Sequence, residues 1–165
     1  MTMKLVRSLI SCKSGAAAAE MALVTPLLII IMTGTFEAGN FFWNQHVVGK
    51  AVRDGARFAG RRPLTDFAGC TPNSSVIADT RNVTRTGRVS GGTPRIAGWT
   101  DGTTVAVTGN CSGSTTTGIY RNNPGGAPRV TVTATLTYNS LFGLLGFNTS
   151  NLTLRADAQA AVMGF

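Results

Sequence analysis

Between Glu20 and Glu37 the chain runs for sixteen residues, Met21 to Phe36, without a charged side chain, and most of these are Leu, Ile, Val or Met. Sixteen is slightly short of the ~20 residues a helix needs to cross a bilayer. The flanks supply the rest: Ala16 to Ala19 precede the run, and Phe41-Phe42-Trp43 follow it. With the two glutamates near its ends, a span of about 17–25 residues is reached. Trp43 and its Phe neighbours fit the aromatic belt of a membrane interface. The segment 16–43 is therefore read as a transmembrane helix.

A cleaved secretory signal is the main rival. It needs a small-x-small site after the apolar core, and Thr33-Gly34-Thr35 or Glu37-Ala38-Gly39 are poor candidates. The small residues that look like a processing site, Gly15 and Ala16 to Ala19, come before the apolar core instead. That order suits an enzyme that trims a basic leader, residues 1–15, at the cytoplasmic face and leaves the helix attached.

Lys4, Arg7 and Lys13 argue for an N-terminus inside, while Lys50, Arg53, Arg57, Arg61 and Arg62 lie just past the span and pull the other way. Cysteine placement favours an exported remainder. Cys12 precedes the anchor, and a cut after Gly15 would remove it and leave the even pair Cys70 and Cys111. The pair is expected to form a disulfide, with two free buried thiols as the alternative. Thr, Asn, Gly and Ser dominate the second half, as in an exported β-rich domain.

The formal charge is +8, yet only 13% of residues are charged and no dense Lys/Arg tract exists. A nucleic-acid partner is not expected, since no zinc finger, helix-turn-helix spacing or aromatic platform accompanies the basic residues. His46 is the only histidine, so a metal centre lacks converging ligands, and His46 reads as an interfacial polar residue. No Gly-x-Ser-x-Gly motif is present. Seven acids in all give paired-carboxylate catalysis little material. Neither an enzyme nor a cofactor is expected.

Past the span, Val47, Val48, Ala51, Val52, Ala56 and Phe58-Ala59 recur at helical spacing, with a basic stripe of Lys50, Arg53, Arg57 and Arg61 offset from them. The anchor helix is expected to continue over 44–60, and from Ala16 to Ala59 it would rise roughly 65 Å. Pro26 lies inside it, where a kink or the loss of one hydrogen bond is expected. Gly34, Gly39, Gly49 and Gly55 would permit a neighbouring helix to approach. Residues 61–165 are read as an exported domain. Val76, Ile77, Thr80 and Val83 suggest a short helix closing near Gly87. Thr103–Thr108, Arg129–Tyr138 and Asn151–Met163 read as three strands, the middle one by strict alternation from Val130 to Thr137 and the last by Leu152, Leu154, Ala156, Ala158 and Ala160. The apolar, glycine-broken Leu141–Phe147 is either a core plug or an exposed loop. The fold class is α+β: a long N-terminal helix, a short helix and a three-stranded antiparallel sheet.

The stretch Lys13-Ser14-Gly15-Ala16-Ala17-Ala18-Ala19-Glu20-Met21-Ala22-Leu23-Val24-Thr25-Pro26-Leu27-Leu28 resembles the start of TadE-like proteins, the pseudopilins of Tad (Flp) type IV pilus systems. A second match follows: Phe36-Glu37-Ala38-Gly39, then Ala51-Val52-Arg53-Asp54-Gly55-Ala56-Arg57-Phe58-Ala59. Together they cover about the first sixty residues. Met21 departs from the aromatic common after the Glu, and Asp54 from a common Glu.

The resemblance implies a prepilin-peptidase cut between Gly15 and Ala16. Glu20 would then be the fifth residue of the mature chain, an assembly carboxylate paired with the freed amino group of a neighbouring subunit. A carboxylate entering a bilayer is costly unless paired, and near a helix start the dipole favours it. Glu37 would either pair with another subunit or stay solvated at the interface. Arg57 is expected to join helix to sheet. The basic stripe would touch anionic headgroups or an acidic partner, or simply be solvated. The expected protein is a non-enzymatic minor pilin of the bacterial inner membrane, with its N-terminus cytoplasmic and its domain periplasmic. Its partners would be other pilin-like subunits, the Tad assembly machinery, a prepilin peptidase and inner-membrane lipids. The alternative is an uncleaved membrane-anchored module that binds an envelope partner.

Overall fold

The computed structural model describes residues 14–113, 116–123, 125–143 and 152–164. Helix α1 spans Ser14–Gly60, helix α2 spans Ser74–Thr86, and the strands are β1 (Val105–Ser112), β2 (Ala127–Thr137) and β3 (Thr153–Ala161). This is the expected α+β class. The chain divides into two compact units, one ending at Asn40 and one from Phe41 to Phe165.

In the first unit α1 is apolar on all sides. Leu23, Leu27, Leu28, Ile29, Ile30 and Ile31 are all exposed, which no water-facing helix of this composition sustains. The helix is long and apolar enough to cross a membrane. Its hydroxyls are internally satisfied: Thr25 Oγ1 donates to the Met21 carbonyl at 2.6 Å, Thr33 to Ile29 at 2.8 Å and Thr35 to Ile31 at 2.7 Å. Hydroxyls satisfied in this way add little cost to a segment surrounded by lipid. Helical assignment continues through Pro26. Proline has no N–H, so the Ala22 carbonyl loses its usual donor there.

The second unit is a three-stranded antiparallel sheet, ordered β1-β2-β3, with helices on its buried face. The central strand alternates as expected. Val130, Val132, Ala134 and Leu136 are buried, while Arg129, Thr135 and Thr137 face outward. Opposite Val132 sit Val107 on β1 and Ala158 on β3. Val48, Ala51, Val52, Ala56 and Ala59 of α1 join the same core at spacings of three and four, the repeat of one helix face. Phe67, Val76, Trp99, Val105, Tyr138, Leu154 and Val162 complete it.

Helix α2 is bounded as its sequence suggests. Val76 N donates to Asn73 Oδ1 at 2.9 Å as the N-cap, and Gly87 closes the helix in the left-handed conformation with φ 79°. Two short 3-10 turns, Leu64–Asp66 and Ala68–Cys70, lead from α1 toward it. Cys70 and Cys111 form a disulfide with Cα atoms 5.5 Å apart. Gly109, on β1, lets the backbone of Cys70 come close enough: a Cβ there would strike the Cys70 carbonyl and lie 2.9 Å from Pro72 Cδ.

Three details differ from the sequence reading. β1 runs on past Thr108 to Ser112, because Gly109, Asn110, Cys111 and Ser112 find partners in Val130, Arg129, Pro128 and Ala127. Leu152 precedes β3 and is exposed, whereas Leu154 is buried. Of the Leu141–Phe147 stretch, Leu141 is exposed, and residues 144–147 lie outside the described residues.

Candidate assembly surface on the N-terminal helix

Gly15 and Ala16 both stand in the first turn of α1, which begins at Ser14, and both are exposed. The expected leader boundary therefore falls inside the helix and not before it. Among the described residues nothing packs against the glycine. A Cβ at Gly15 would meet no atom within 4 Å, and its φ is not in the left-handed region. Glycine inside a helix costs about 1 kcal/mol relative to alanine, so its presence at this position has no account in packing.

Glu20 is exposed and lies in the second turn. The favourable dipole position expected for it would apply to a helix that starts at Ala16. Glu37 is placed differently: it is only 8% exposed, and Thr33, one turn earlier on the same face, is also 8% exposed. The two carboxylates are not brought together. They stand seventeen positions apart in sequence, which on an α-helix is about 26 Å along the axis and roughly 100° around it. They occupy separate positions, so any role in assembly must be separate too.

The Gly-Ala-Arg-Phe-Ala stretch divides by burial. Gly55, Ala56 and Ala59 are buried, and Arg57 is exposed. Gly55 is where α1 crosses α2. A Cβ there would collide with Thr84 Oγ1, 3.3 Å from Thr84 Cβ and 3.6 Å from Thr80 Cγ2. The join between helix and sheet is made without Arg57: Met163 N donates to the Gly60 carbonyl at 2.8 Å, and Gln45 Nε2 donates to the Arg155 carbonyl at 2.7 Å. The joining role expected of Arg57 thus falls to backbone and to Gln45.

Asp54 has a partner that the sequence did not announce. Arg95 Nη1 lies 2.8 Å from its Oδ2, and Arg95 N donates to the Arg85 carbonyl at 2.8 Å, which ties the segment after α2 back onto α1. Lys50, Arg53, Arg57 and Arg61 are all exposed, as is His46. At Asp101 the Thr103 hydroxyl and backbone N–H, with Arg85 and Arg81 nearby, hold the carboxyl below its ordinary value.

Among the described residues one helix is long and apolar enough to cross a membrane, and it leads into a small α+β domain, a layout that fits a membrane-anchored, pilin-like chain. Residues 15–57 match the model of the TadE-like protein family, the family that the sequence resembles. The matched stretch lies wholly within α1 and includes Gly15, Glu20, Glu37 and Gly55. Neither the curated proteins nor the solved structures contain a match to the chain.

Proposed function

We propose that the protein is a non-enzymatic pseudopilin or minor pilin of a Tad (Flp) pilus system, cleaved between Gly15 and Ala16 and assembled through its N-terminal helix. The observation that carries this reading is the TadE-like match over residues 15–57, centred on a helix whose apolar side chains are exposed on every side. Such a surface is covered by lipid or by other helices of the same kind. Residues 1–15 act as the basic leader, 16–43 span the inner membrane, 44–60 continue the helix, and 61–165 form the periplasmic domain. The peptidase removes Cys12, and the Cys70–Cys111 pair then matures in an oxidising compartment.

Glu20 pairs in the bilayer with the α-amino group released at Ala16 on a neighbouring subunit. A bare carboxylate there is costly, so the pair favours one register of docking over others. The cleavage step rests on the order of the small residues, Gly15 and Ala16 to Ala19, ahead of the apolar run. Glu37 takes part in assembly at a separate level of the helix.

Mass spectrometry of the mature protein tests the cut. A peptide that begins at Ala16 is expected, and persistence of residues 1–15 would leave an uncleaved envelope-binding module as the better description. For Glu20→Ala, membrane insertion is expected to survive while association with partner pilin-like subunits fails. Normal piliation in that variant would remove the assigned role.

A further inference from the structure

The proposed function leaves the apolar start of the β2–β3 turn unused, and the turn stands at one defined end of the domain. Tyr138 N donates to the Leu152 carbonyl at 2.9 Å, just beyond Thr137 and Thr153, the last pair of the β2–β3 ladder. The Tyr138 ring meets Phe41 of α1 edge-on, with 5.2 Å between centroids. Gln45 Nε2 donates to the Arg155 carbonyl at 2.7 Å. These contacts hold this end of the sheet level with residues 41–45 of the helix. The opposite end is tied at Gly60, whose carbonyl accepts from Met163 N. A helix rises roughly 22 Å from Gln45 to Gly60. β3 therefore runs alongside α1, with the β2–β3 turn at the start of that stretch and the β1–β2 turn at its far end.

Four large apolar side chains are exposed at this end: Phe42 and Trp43 on α1, with Leu141 and Leu152 flanking the turn at 61% and 47% exposure. From these observations we infer that this end of the domain is seated in the headgroup layer of the bilayer that α1 spans, with Leu141 and Leu152 against lipid beside Phe42 and Trp43. Depth along the helix names the occupant. A hydrocarbon core of ~30 Å takes about 20 helical residues, which from Met21 reaches Asn40. With its headgroups a bilayer measures ~40–45 Å, so a layer of about 5–8 Å lies beyond the core on each side. Phe41 to Gln45 rise about 6 Å and pass through that layer, and the turn is tied to them. A turn that faced bulk water would need its first tie to α1 farther along the helix, near Lys50. The surface is also continuous with the exposed apolar side chains of the span. No charged residue occurs between Arg129 and Arg155, so the turn enters the layer without desolvating an ion. The inference rests on the proposed membrane span alone; cleavage at Gly15 and pairing by Glu20 do not enter it.

The test places the full chain, at high dilution, in phosphatidylcholine vesicles with or without bromine on the acyl chains close to the glycerol. Bromine quenches tryptophan only at close approach. Trp43→Phe serves as the parent, whose remaining emission comes from the buried Trp99 and is subtracted. One tryptophan is then added by Leu28→Trp, Leu141→Trp, Leu152→Trp or Ile119→Trp. The first lies within the span and reports insertion. The added emission of Leu141→Trp and Leu152→Trp is expected to shift to the blue and to lose most of its intensity in brominated vesicles. Ile119→Trp, in the β1–β2 turn, should keep its intensity and emit as a water-exposed indole. Formation of the Cys70–Cys111 bond in every variant reports that the domain has folded. Quenching at position 28 with none at 141 and 152 would overturn the inference and leave the span standing, whereas no quenching at 28 would remove both. A blue shift at 141 and 152 without quenching would mean that protein covers this end, and equal quenching at 119 and 152 that the domain lies flat on the bilayer; either result overturns the inference.

Discussion

At residue scale the crossing of α1 and α2 depends on what position 55 lacks. Thr84, fully buried, donates its hydroxyl to the Thr80 carbonyl at 2.7 Å, and a methyl on Gly55 would push that hydroxyl aside. Overpacking of this kind costs about 1–3 kcal/mol, against a gain of about 1 kcal/mol in helix propensity. Gly55→Ala is therefore expected to destabilise the domain by up to about 2 kcal/mol, seen as a lower denaturation midpoint. Adding Thr84→Ala should recover part of the loss, and strict additivity of the two changes would count against the collision. A second residue-scale prediction concerns acid. The carboxyl of Asp101 titrates below its ordinary value, chiefly because the Thr103 hydroxyl and N–H donate to the ionised form at 2.6 and 2.7 Å. A lowered folded value means that its contribution is present above the normal carboxylate range and disappears as pH falls through the lowered value. Melting curves of wild type and Asp101→Asn should thus differ slightly near neutrality and converge in acid.

At the scale of elements, the closing glycine of α2 was readable in the sequence, and its N-cap and the long-range ties were not. Gly87 announced the end of α2, and Asn73 holds its start. Asn73→Ala is expected to cost about 1 kcal/mol, measurable by chemical denaturation, and Asn73→Asp should cost far less because it keeps the acceptor. The central strand was legible because its alternation needs only local chemistry: a side chain every second residue on one face. β1 was cut short because Gly109 and Asn110 look like breakers. Their pairing with Val130 and Arg129 is a property of the sheet, which a local reading of residues 103–112 does not contain. The same holds for Asp54 and Arg95, forty-one positions apart. On the candidate surface, the offset of the basic stripe from the buried face of α1 followed from pattern.

For the molecule as a whole, the disulfide closes a loop of forty-one positions between the turn after α1 and the first strand. Constraining the unfolded chain in this way is worth about 4 kcal/mol by chain entropy, a large share of the stability of a domain this small. Replacing both cysteines by serine should lower the denaturation midpoint sharply, while the apolar helix remains membrane-inserted. Equal stability of the serine variant and the oxidised protein would mean that the bond is idle. Gly109→Val should mimic part of the loss by keeping Cys70 from reaching β1.

One hydrogen bond sets an order of events in time. The carbonyl of Gly60, at the last residue of α1, is satisfied by the N–H of Met163, and Val162 N closes on Pro128 just beside it. A ribosome therefore finishes the anchor helix long before it makes the residues that seal it, and during that interval the outer edge of β2 has no β3 to pair with. The half-made chain already carries its long helix while its sheet waits, and until β3 is made the open edge of β2 is the part most prone to stick to a neighbour.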